Sequence, residues 1–137
     1  GYCADISRAF VCGNKFNEHQ KKIYLTAVEQ IDYNSRLIKD GVSFREFTEK
    51  AWILPEKYYG NRYSVMLHGI GLCDEWPAIR YPTDGGERSG TFQKNMTITL
   101  ESYIGEVGGN EGVKLEQQYL VGENGLELMS HHPLEQI

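Results

Sequence analysis

The most regular pattern in the 137-residue chain is a set of apolar positions at helical spacing between Asn17 and Asp40. Residues three or four positions apart lie on one face of a helix, and the set follows that spacing: Ile23, Ala27, Val28, Ile31 and Ile38. Asn17 is suited to cap the start of a helix, and Gly41 is suited to end it. The pattern therefore predicts one long helix with a buried face.

A second helix is predicted directly after the first. The sequence SFRE at Ser43 to Glu46 matches a capping box, in which side chains of the first turn bond to free backbone N–H groups. Pro55 cannot continue a helix, so we expect this helix to end near Leu54.

Alternating residues predict two strands that carry polar side chains of interest. The first covers residues 2–12, where Cys3, Asp5 and Ser7 fall on one face because side chains alternate along a strand. The second is RYSVML, and it ends at His68. Both strands thus bring a potential ligand to a sheet.

Two longer strands are predicted at residues 95–102 and 112–121, with a glycine-rich hairpin loop between them and a short last strand after them. Glu101 alternates with apolar residues in the first of these strands. Lys114 and Glu116 share one face of the second. The predicted class is α+β, with two helices packed on a curved, mainly antiparallel sheet.

Composition indicates a folded protein of one domain, since 40% of the residues are hydrophobic. The 14 basic and 19 acidic residues give a net charge of −5, which argues against a nucleic-acid partner. No apolar run is long enough to cross a membrane. Cys3, Cys12 and Cys73 lack metal-type pairing, which predicts reduced, small buried residues in a cytoplasmic protein.

The predicted strands could bring together four side chains: Asp5, His68, Glu101 and Glu116. Carboxylate oxygens and imidazole nitrogens are donors that a divalent transition metal accepts, and several carboxylates with one histidine suit two adjacent ions. Taken singly, each residue has a simpler explanation, as an exposed strand carboxylate or a histidine bonded to the backbone. The hypothesis depends on all four acting together.

The order of the motifs strengthens this hypothesis. DISR, HGIGL, TLES and KLEQQYLV follow one another, and Glu116 comes fifteen positions after Glu101. This arrangement resembles the creatinase/aminopeptidase P family of "pita-bread" metalloenzymes. The resemblance implies that residues 1–137 form the C-terminal portion of such a catalytic domain. It also implies that Asp5, His68, Glu101 and Glu116 bind a binuclear centre, and that a first metal aspartate and an N-terminal domain lie upstream.

Two departures from the peptidase pattern point to one branch of the family. Peptidases follow HGIG with a second histidine in an HE-x-P turn, whereas this chain has CDEWP with Asp74 and Glu75. The usual EPG at the fourth ligand is replaced by ESY at residues 101–103. Both sequences look like the dimethylsulfoniopropionate (DMSP) lyase branch, which cleaves DMSP to dimethyl sulfide and acrylate.

That resemblance implies roles for further residues. Asp74 would be the catalytic base, and Tyr63 would lie in the substrate pocket. Trp76 follows from the chemistry of the substrate and not from the resemblance: it offers an aromatic face to the sulfonium cation, since cations are attracted to aromatic rings, or it packs in the core or at its rim. The expected cofactor is two divalent metal ions, preferably iron with Mn, Co or Zn as possibilities, and the expected assembly is a homodimer. Glu75 is explained either as a solvated turn residue or as a partner that orients Asp74.

Two other functions stay open at this point. A Xaa-Pro aminopeptidase or dipeptidase would use the same metal site, although the second histidine is absent. A catalytically inactive pita-bread domain could serve as a binding module, although three buried carboxylates would then have no physical purpose. Arg8 could support a metal-binding carboxylate or form a structural salt bridge, and Tyr81 is expected to contribute to packing.

Overall fold

This computed structural model describes residues 1–13, 15–72, 75–86 and 89–134. These residues contain three helices and five strands, joined by loops. The helices are α1 (Glu18–Ser35), α2 (Phe44–Lys50) and α3 (Glu56–Tyr59). The strands are β1 (Val65–Gly69), β2 (Ala78–Arg80), β3 (Thr97–Gly105), β4 (Gly112–Val121) and β5 (Leu126–Leu128).

The five strands form one sheet in the order β2-β1-β3-β4-β5, and every neighbouring pair is antiparallel. The register of β3 and β4 places Glu101 directly opposite Glu116. The register of β1 and β3 places His68 opposite Thr99. Since residues directly opposite each other point to the same face of a sheet, the register gathers polar side chains on one face. The predicted α+β class is confirmed.

Helix α1 begins as predicted but ends earlier. The Asn17 side chain accepts a hydrogen bond of 2.8 Å from the Gln20 N–H, and the Gln20 side chain accepts one of 3.0 Å from the Asn17 N–H. The helix ends at Ser35, and α2 likewise ends at Lys50 rather than near Leu54. The chain between α1 and α2 is stabilised by tertiary bonds instead of helical ones, such as that from the Asp40 N–H to the Gly122 carbonyl.

The predicted strand at residues 2–12 is wrong, because only an isolated bridge between Ser7 and Glu116 is formed there. The backbone groups of this segment bond to separate elements. The Cys3 N–H donates to the Gly71 carbonyl, and the Asp5 N–H donates to the Gln118 side chain. The segment is therefore held by scattered contacts and not by a continuous ladder.

The hydrophobic core lies where α1 packs on β3 and β4. A buried polar network crosses it: Gln30 donates to the Tyr81 hydroxyl at 2.6 Å and accepts from the Ser102 hydroxyl at 2.6 Å. Tyr81 is thus a packing residue, as expected. Cys3 and Cys12 are exposed free thiols, so the prediction that they are buried is wrong, and Cys73 lies outside the described residues.

None of the helices in the described ranges combines the length and apolar character that crossing a membrane would require.

Candidate metal centre

Three of the four predicted ligands form a compact cluster on the sheet. One ligand atom each from Asp5, His68 and Glu116 lie within 4.8 Å of one another. Glu101 adjoins this cluster, because its Oε1 atom is 3.3 Å from His68 Nε2. The N-terminal segment, β1, β3 and β4 thus each contribute one of the predicted donors.

The burial of Glu101 is the observation that fits a bound cation best. Glu101 and Glu116 are each only 2% exposed. Both carboxylate oxygens of Glu101 are buried, and neither forms a hydrogen bond among the described residues; their polar contacts are the ion-pair distances to His68 Nε2 and Lys114 Nζ. Burying an acceptor without a partner costs free energy, and burying a charged one costs more. Oxygen donors left in this way are suited to a hard divalent cation.

His68 presents one specific ring nitrogen to the cluster. Its Nδ1 atom donates to the Gly69 carbonyl at 2.9 Å, because a carbonyl can only accept. Nε2 is therefore the atom that faces Glu101, and it also lies 3.6 Å from Asp5 Oδ2. A second hydrogen bond that fixes the ring in this way is the usual arrangement for a metal-binding histidine.

Lys114 supplies a positive charge at the same place. Its Nζ atom lies 3.1 Å from Glu101 Oε2 and 2.7 Å from Glu116 Oε1. The same ammonium lies 4.4 Å from the centre of the Tyr63 ring. Burial acts to lower the pKa of Lys114, but its contacts with the two glutamates raise it overall. In the metal-free protein, Lys114 therefore neutralises part of the carboxylate charge.

The ionisation of the cluster reflects burial and crowding of like charges. Burial and the charge of Glu116 raise the pKa of Asp5, and burial raises the pKa of Glu101. Burial alone would raise the pKa of Glu116, but contacts with Glu101 and Lys114 lower it to about 2. Neighbouring carboxylates with opposite shifts are typical of a site that shares a limited positive charge.

His68 is held in its charged form by the carboxylates. Burial alone would lower the pKa of His68, but its contact with Glu101 and its bond to the Gly69 carbonyl raise it to about 9. Because a metal ligand must be a neutral imidazole, a bound ion would have to replace this proton.

The predicted substrate residues occupy different surroundings. Tyr63 is 39% exposed and adjoins the cluster through Lys114. Trp76 is 63% exposed and lines a cavity of about 740 Å³ together with Tyr2 and Leu72. The described lining of that cavity includes neither Tyr63 nor any of the four predicted ligands. Asp74, the predicted base, lies outside the described residues.

The sequence profile of metallopeptidase family M24 matches residues 1–123. This chain belongs to that family. The match agrees with the predicted pita-bread fold and implies divalent metal ions as the cofactor. The family is shown by nine-tenths of the chain, whereas the roles of individual residues stay predictions.

Two kinds of curated relative are similar to this chain in sequence. The dimethylsulfoniopropionate lyase DddP of Roseovarius nubinhibens is 34% identical over 138 aligned residues, covering 98% of this chain and 31% of that protein. An uncharacterized peptidase of Staphylococcus aureus (strain USA300) is 31% identical over 133 residues, covering 96% of this chain and 36% of that protein. The chain thus spans about a third of the length of these relatives.

Solved structures of peptidases share the fold. The prolidase from Pyrococcus horikoshii OT3 superposes with a TM-score of 0.81 and 29% identity, covering 99% of this chain and 38% of that one. The Xaa-Pro dipeptidase from Bacillus anthracis gives a TM-score of 0.77 and 28% identity, covering 99% of this chain and 37% of that one.

Sequence reasoning did not identify two residues that contact the cluster. Ser7 donates a hydrogen bond from its hydroxyl to Glu116 Oε2, and Lys114 pairs with both glutamates. Both have a signal in the sequence, since each lies two positions from a predicted ligand on an alternating pattern. For Ser7 this signal is the alternation of the predicted strand at residues 2–12, and the structure has no strand there.

Proposed function

We propose that the complete protein carrying this chain is a metal-dependent lyase that cleaves DMSP to dimethyl sulfide and acrylate. Asp5, His68, Glu101 and Glu116 are the proposed ligands of two divalent ions, with iron as the preferred metal. Homodimeric assembly belongs to the same proposal. Support comes from the 34% identity to a relative named as a DMSP lyase over 98% of this chain.

The observation that carries the proposal is the turn after His68. The chain places Asp74 and Glu75 where the peptidase pattern has its second histidine. A carboxylate can remove a proton from carbon, whereas loss of the histidine removes a group that assists attack on a peptide bond. The proposed elimination therefore uses the carboxylate that this turn carries and does not require the second histidine of the peptidases.

The elimination can be written with each proton and electron pair assigned. The Asp74 carboxylate takes a proton from the carbon next to the substrate carboxylate. The electrons of that C–H bond form the double bond of acrylate, and the C–S bond breaks so that its electrons leave with dimethyl sulfide. Bound divalent ions would stabilise the negative charge that develops at the substrate carboxylate. Asp74 must then release its proton before the next turnover.

Recognition of the sulfonium group is assigned to Tyr63 and Trp76. A sulfonium has no hydrogen-bond donor, so aromatic faces are the side chains suited to bind it. The exposed ring of Tyr63 already faces a cation, the ammonium of Lys114 at 4.4 Å. Trp76 follows the proposed base by two positions and is largely exposed.

A direct comparison of substrates tests this proposal. The complete protein, loaded separately with iron(II), manganese(II), cobalt(II) and zinc(II), is incubated with DMSP and with a Xaa-Pro dipeptide. We expect headspace dimethyl sulfide from the first substrate and no free proline from the second. Proline release without dimethyl sulfide would reject the lyase in favour of a peptidase.

The second candidate function is that of a Xaa-Pro metallopeptidase. It is favoured by the solved structures, which include a prolidase with a TM-score of 0.81. An inactive binding module is a weaker alternative, because Glu101 is buried without hydrogen-bond partners among the described residues. Absence of both products with every metal, together with failure to bind any of the four metals, would support that alternative.

A further inference from the structure

The segment that carries Asp5 has little regular structure to hold it. Asp5 precedes the isolated bridge at Ser7 and is not part of any of the five strands. The other three proposed ligands lie within β1, β3 and β4. A ligand on an irregular segment needs additional contacts if its carboxylate is to stay in one position.

Arg8 supplies such contacts three residues after Asp5. Its Nη1 atom donates to the Glu116 carbonyl at 2.6 Å and to the Ser7 carbonyl at 2.9 Å. Its Nη2 atom donates to the Gln117 side chain at 2.9 Å and to the His132 carbonyl at 2.5 Å. The guanidinium thus joins the N-terminal segment, β4 and the C-terminal segment.

The third nitrogen of Arg8 completes this arrangement. Nε donates to the Pro133 carbonyl at 3.1 Å and to the His132 carbonyl at 3.2 Å. Arginine carries five donors in a rigid planar fork, and lysine cannot reproduce that geometry. Within the described ranges Arg8 forms no ion pair with a carboxylate, so its partners are backbone carbonyls and an amide. The structural salt bridge considered from the sequence is therefore not formed within these ranges, and support of a metal-binding carboxylate stays a prediction.

The partner with fewer regular backbone contacts in this arrangement is the Asp5 segment. Strand β4 is fixed by nine pairs of residues with β3, from Thr97 with Leu120 to Gly105 with Gly112. The N-terminal segment has one bridge to the same strand, at Ser7. Loss of Arg8 would therefore disturb Asp5 more than Glu116.

We propose that Arg8 is a positioning residue that holds the Asp5 carboxylate at the metal centre by locking the N-terminal segment onto β4. This inference rests on the proposed role of Asp5 as a metal ligand. It assigns Arg8 to metal affinity and geometry, and it requires no contact between Arg8 and the ion or the substrate.

Cobalt(II) binding to the complete protein tests the proposal, because the visible absorption of cobalt(II) reports the number and geometry of its ligands. The variants are Arg8→Met, Arg8→Lys, Asp5→Asn and the double variant. Arg36→Met is the matched control, since Arg36 pairs with Asp32 on the exposed surface of α1. Ile38→Val, a core change outside the cluster, controls for general destabilisation. All titrations are made at a temperature where each variant is folded.

We expect Arg8→Met to weaken cobalt(II) binding about tenfold or more, as changes to residues that support metal ligands commonly do. Its absorption spectrum should resemble that of Asp5→Asn, and Arg8→Lys should be weakened less. The two controls should bind cobalt(II) as the unaltered protein does. Adding Arg8→Met to Asp5→Asn should cause little further loss, because Arg8 acts through Asp5.

Each of the following results would overturn the inference, and the results are distinguishable. If Asp5→Asn binds cobalt(II) as tightly as the unaltered protein, Asp5 is not a metal ligand and the proposed site is rejected. Weakened binding in Asp5→Asn with unaltered binding in Arg8→Met would remove only the role of Arg8. A full additional loss in the double variant would show that Arg8 acts independently of Asp5. If Arg8→Met does not fold, Arg8→Lys decides, and unaltered affinity and spectrum in that variant would reject the role.

Discussion

Lys114 Nζ lies 2.7 Å from Glu116 Oε1, and Glu116 in turn faces Glu101 across the β3–β4 pair. One ammonium therefore pairs with two neighbouring carboxylates that are almost completely buried, and it neutralises part of their charge. Among the described residues, His68 is the other positive charge close to these carboxylates. Removing the ammonium should therefore leave the buried oxygens of Glu101 and Glu116 with His68 as their remaining cationic neighbour.

We predict that Lys114→Met lowers the free energy of unfolding of the metal-free protein by about 1 to 3 kcal/mol, the cost of leaving a buried polar group unsatisfied. Denaturant unfolding measures the change. Lys94→Met is the control, because Lys94 pairs with Glu123 between two exposed side chains and should contribute little. Saturating manganese(II) should reduce the difference between Lys114→Met and the unaltered protein. Equal effects of the two lysine variants would contradict the prediction.

A pH dependence of metal binding follows from His68. Its pKa in the metal-free protein is raised to about 9, so the imidazole is mainly protonated at pH 7. Only the neutral ring can bind a metal ion, and binding must therefore release the proton. We predict that affinity for manganese(II) rises with pH up to about 9 and then levels off as far as His68 is concerned.

Isothermal titration calorimetry in two buffers of different ionisation enthalpy measures this proton release. At pH 7 we expect the release of about one proton from each His68 that binds a metal ion. His68→Gln should lose this component of the release, and His132→Gln serves as a control because His132 is exposed outside the cluster. A pH-independent affinity from pH 6 to 9 would contradict the prediction.

The parts of the fold that the sequence predicted are those with regular local patterns. Helix α1 has apolar residues at helical spacing and a capped start, and β3 and β4 alternate along nine and ten residues. The period of such elements can be seen in neighbouring residues, although β3 buries side chains on both of its faces. The family and the fold class followed from these elements and from the spacing of the motifs between them.

The N-terminal segment shows why the rest could not be predicted. Residues 2–12 alternate like a strand, but the partners of their backbone groups include the Gln118 side chain and the Gly71 carbonyl. These partners lie more than sixty positions away in the chain from the residues that they bond, so no local sequence pattern predicts them. Lys114 alternates with Glu116 along β4, but its contact with Glu101 depends on the register between β3 and β4, which the sequence of a single strand does not specify.

Gly69 allows a close backbone approach that any side chain would prevent. A Cβ atom at this position would lie 1.9 Å from the Trp76 carbonyl oxygen. The Gly69 N–H also donates to the Pro77 carbonyl at 2.8 Å, which fixes the end of the turn after His68. We predict that Gly69→Ala destabilises the protein by about 3 kcal/mol, the upper end of the usual cost of overpacking.

Thermal or denaturant unfolding measures the effect of Gly69→Ala. Gly108→Ala is the comparison, because a Cβ at Gly108 meets no atom within 4 Å and only its φ of +78° opposes the change. The loss at Gly69 should exceed the loss at Gly108. Comparable losses would show that the turn after His68 can shift to accept a side chain.

The proposed base can be tested apart from the metal site. Asp74→Asn keeps the size of the side chain and removes its ability to accept a proton, so we expect turnover of DMSP to fall by about 10²- to 10⁴-fold. Metal content, measured by mass spectrometry, should not change, because Asp74 is not among the proposed ligands. Glu75→Gln is the matched control at the adjacent position, where the exposed side chain should affect turnover little. Full turnover in Asp74→Asn would reject the assigned base, and loss of metal from this variant would indicate a role in the centre itself. A large loss in Glu75→Gln alone would move the proposed base by one residue.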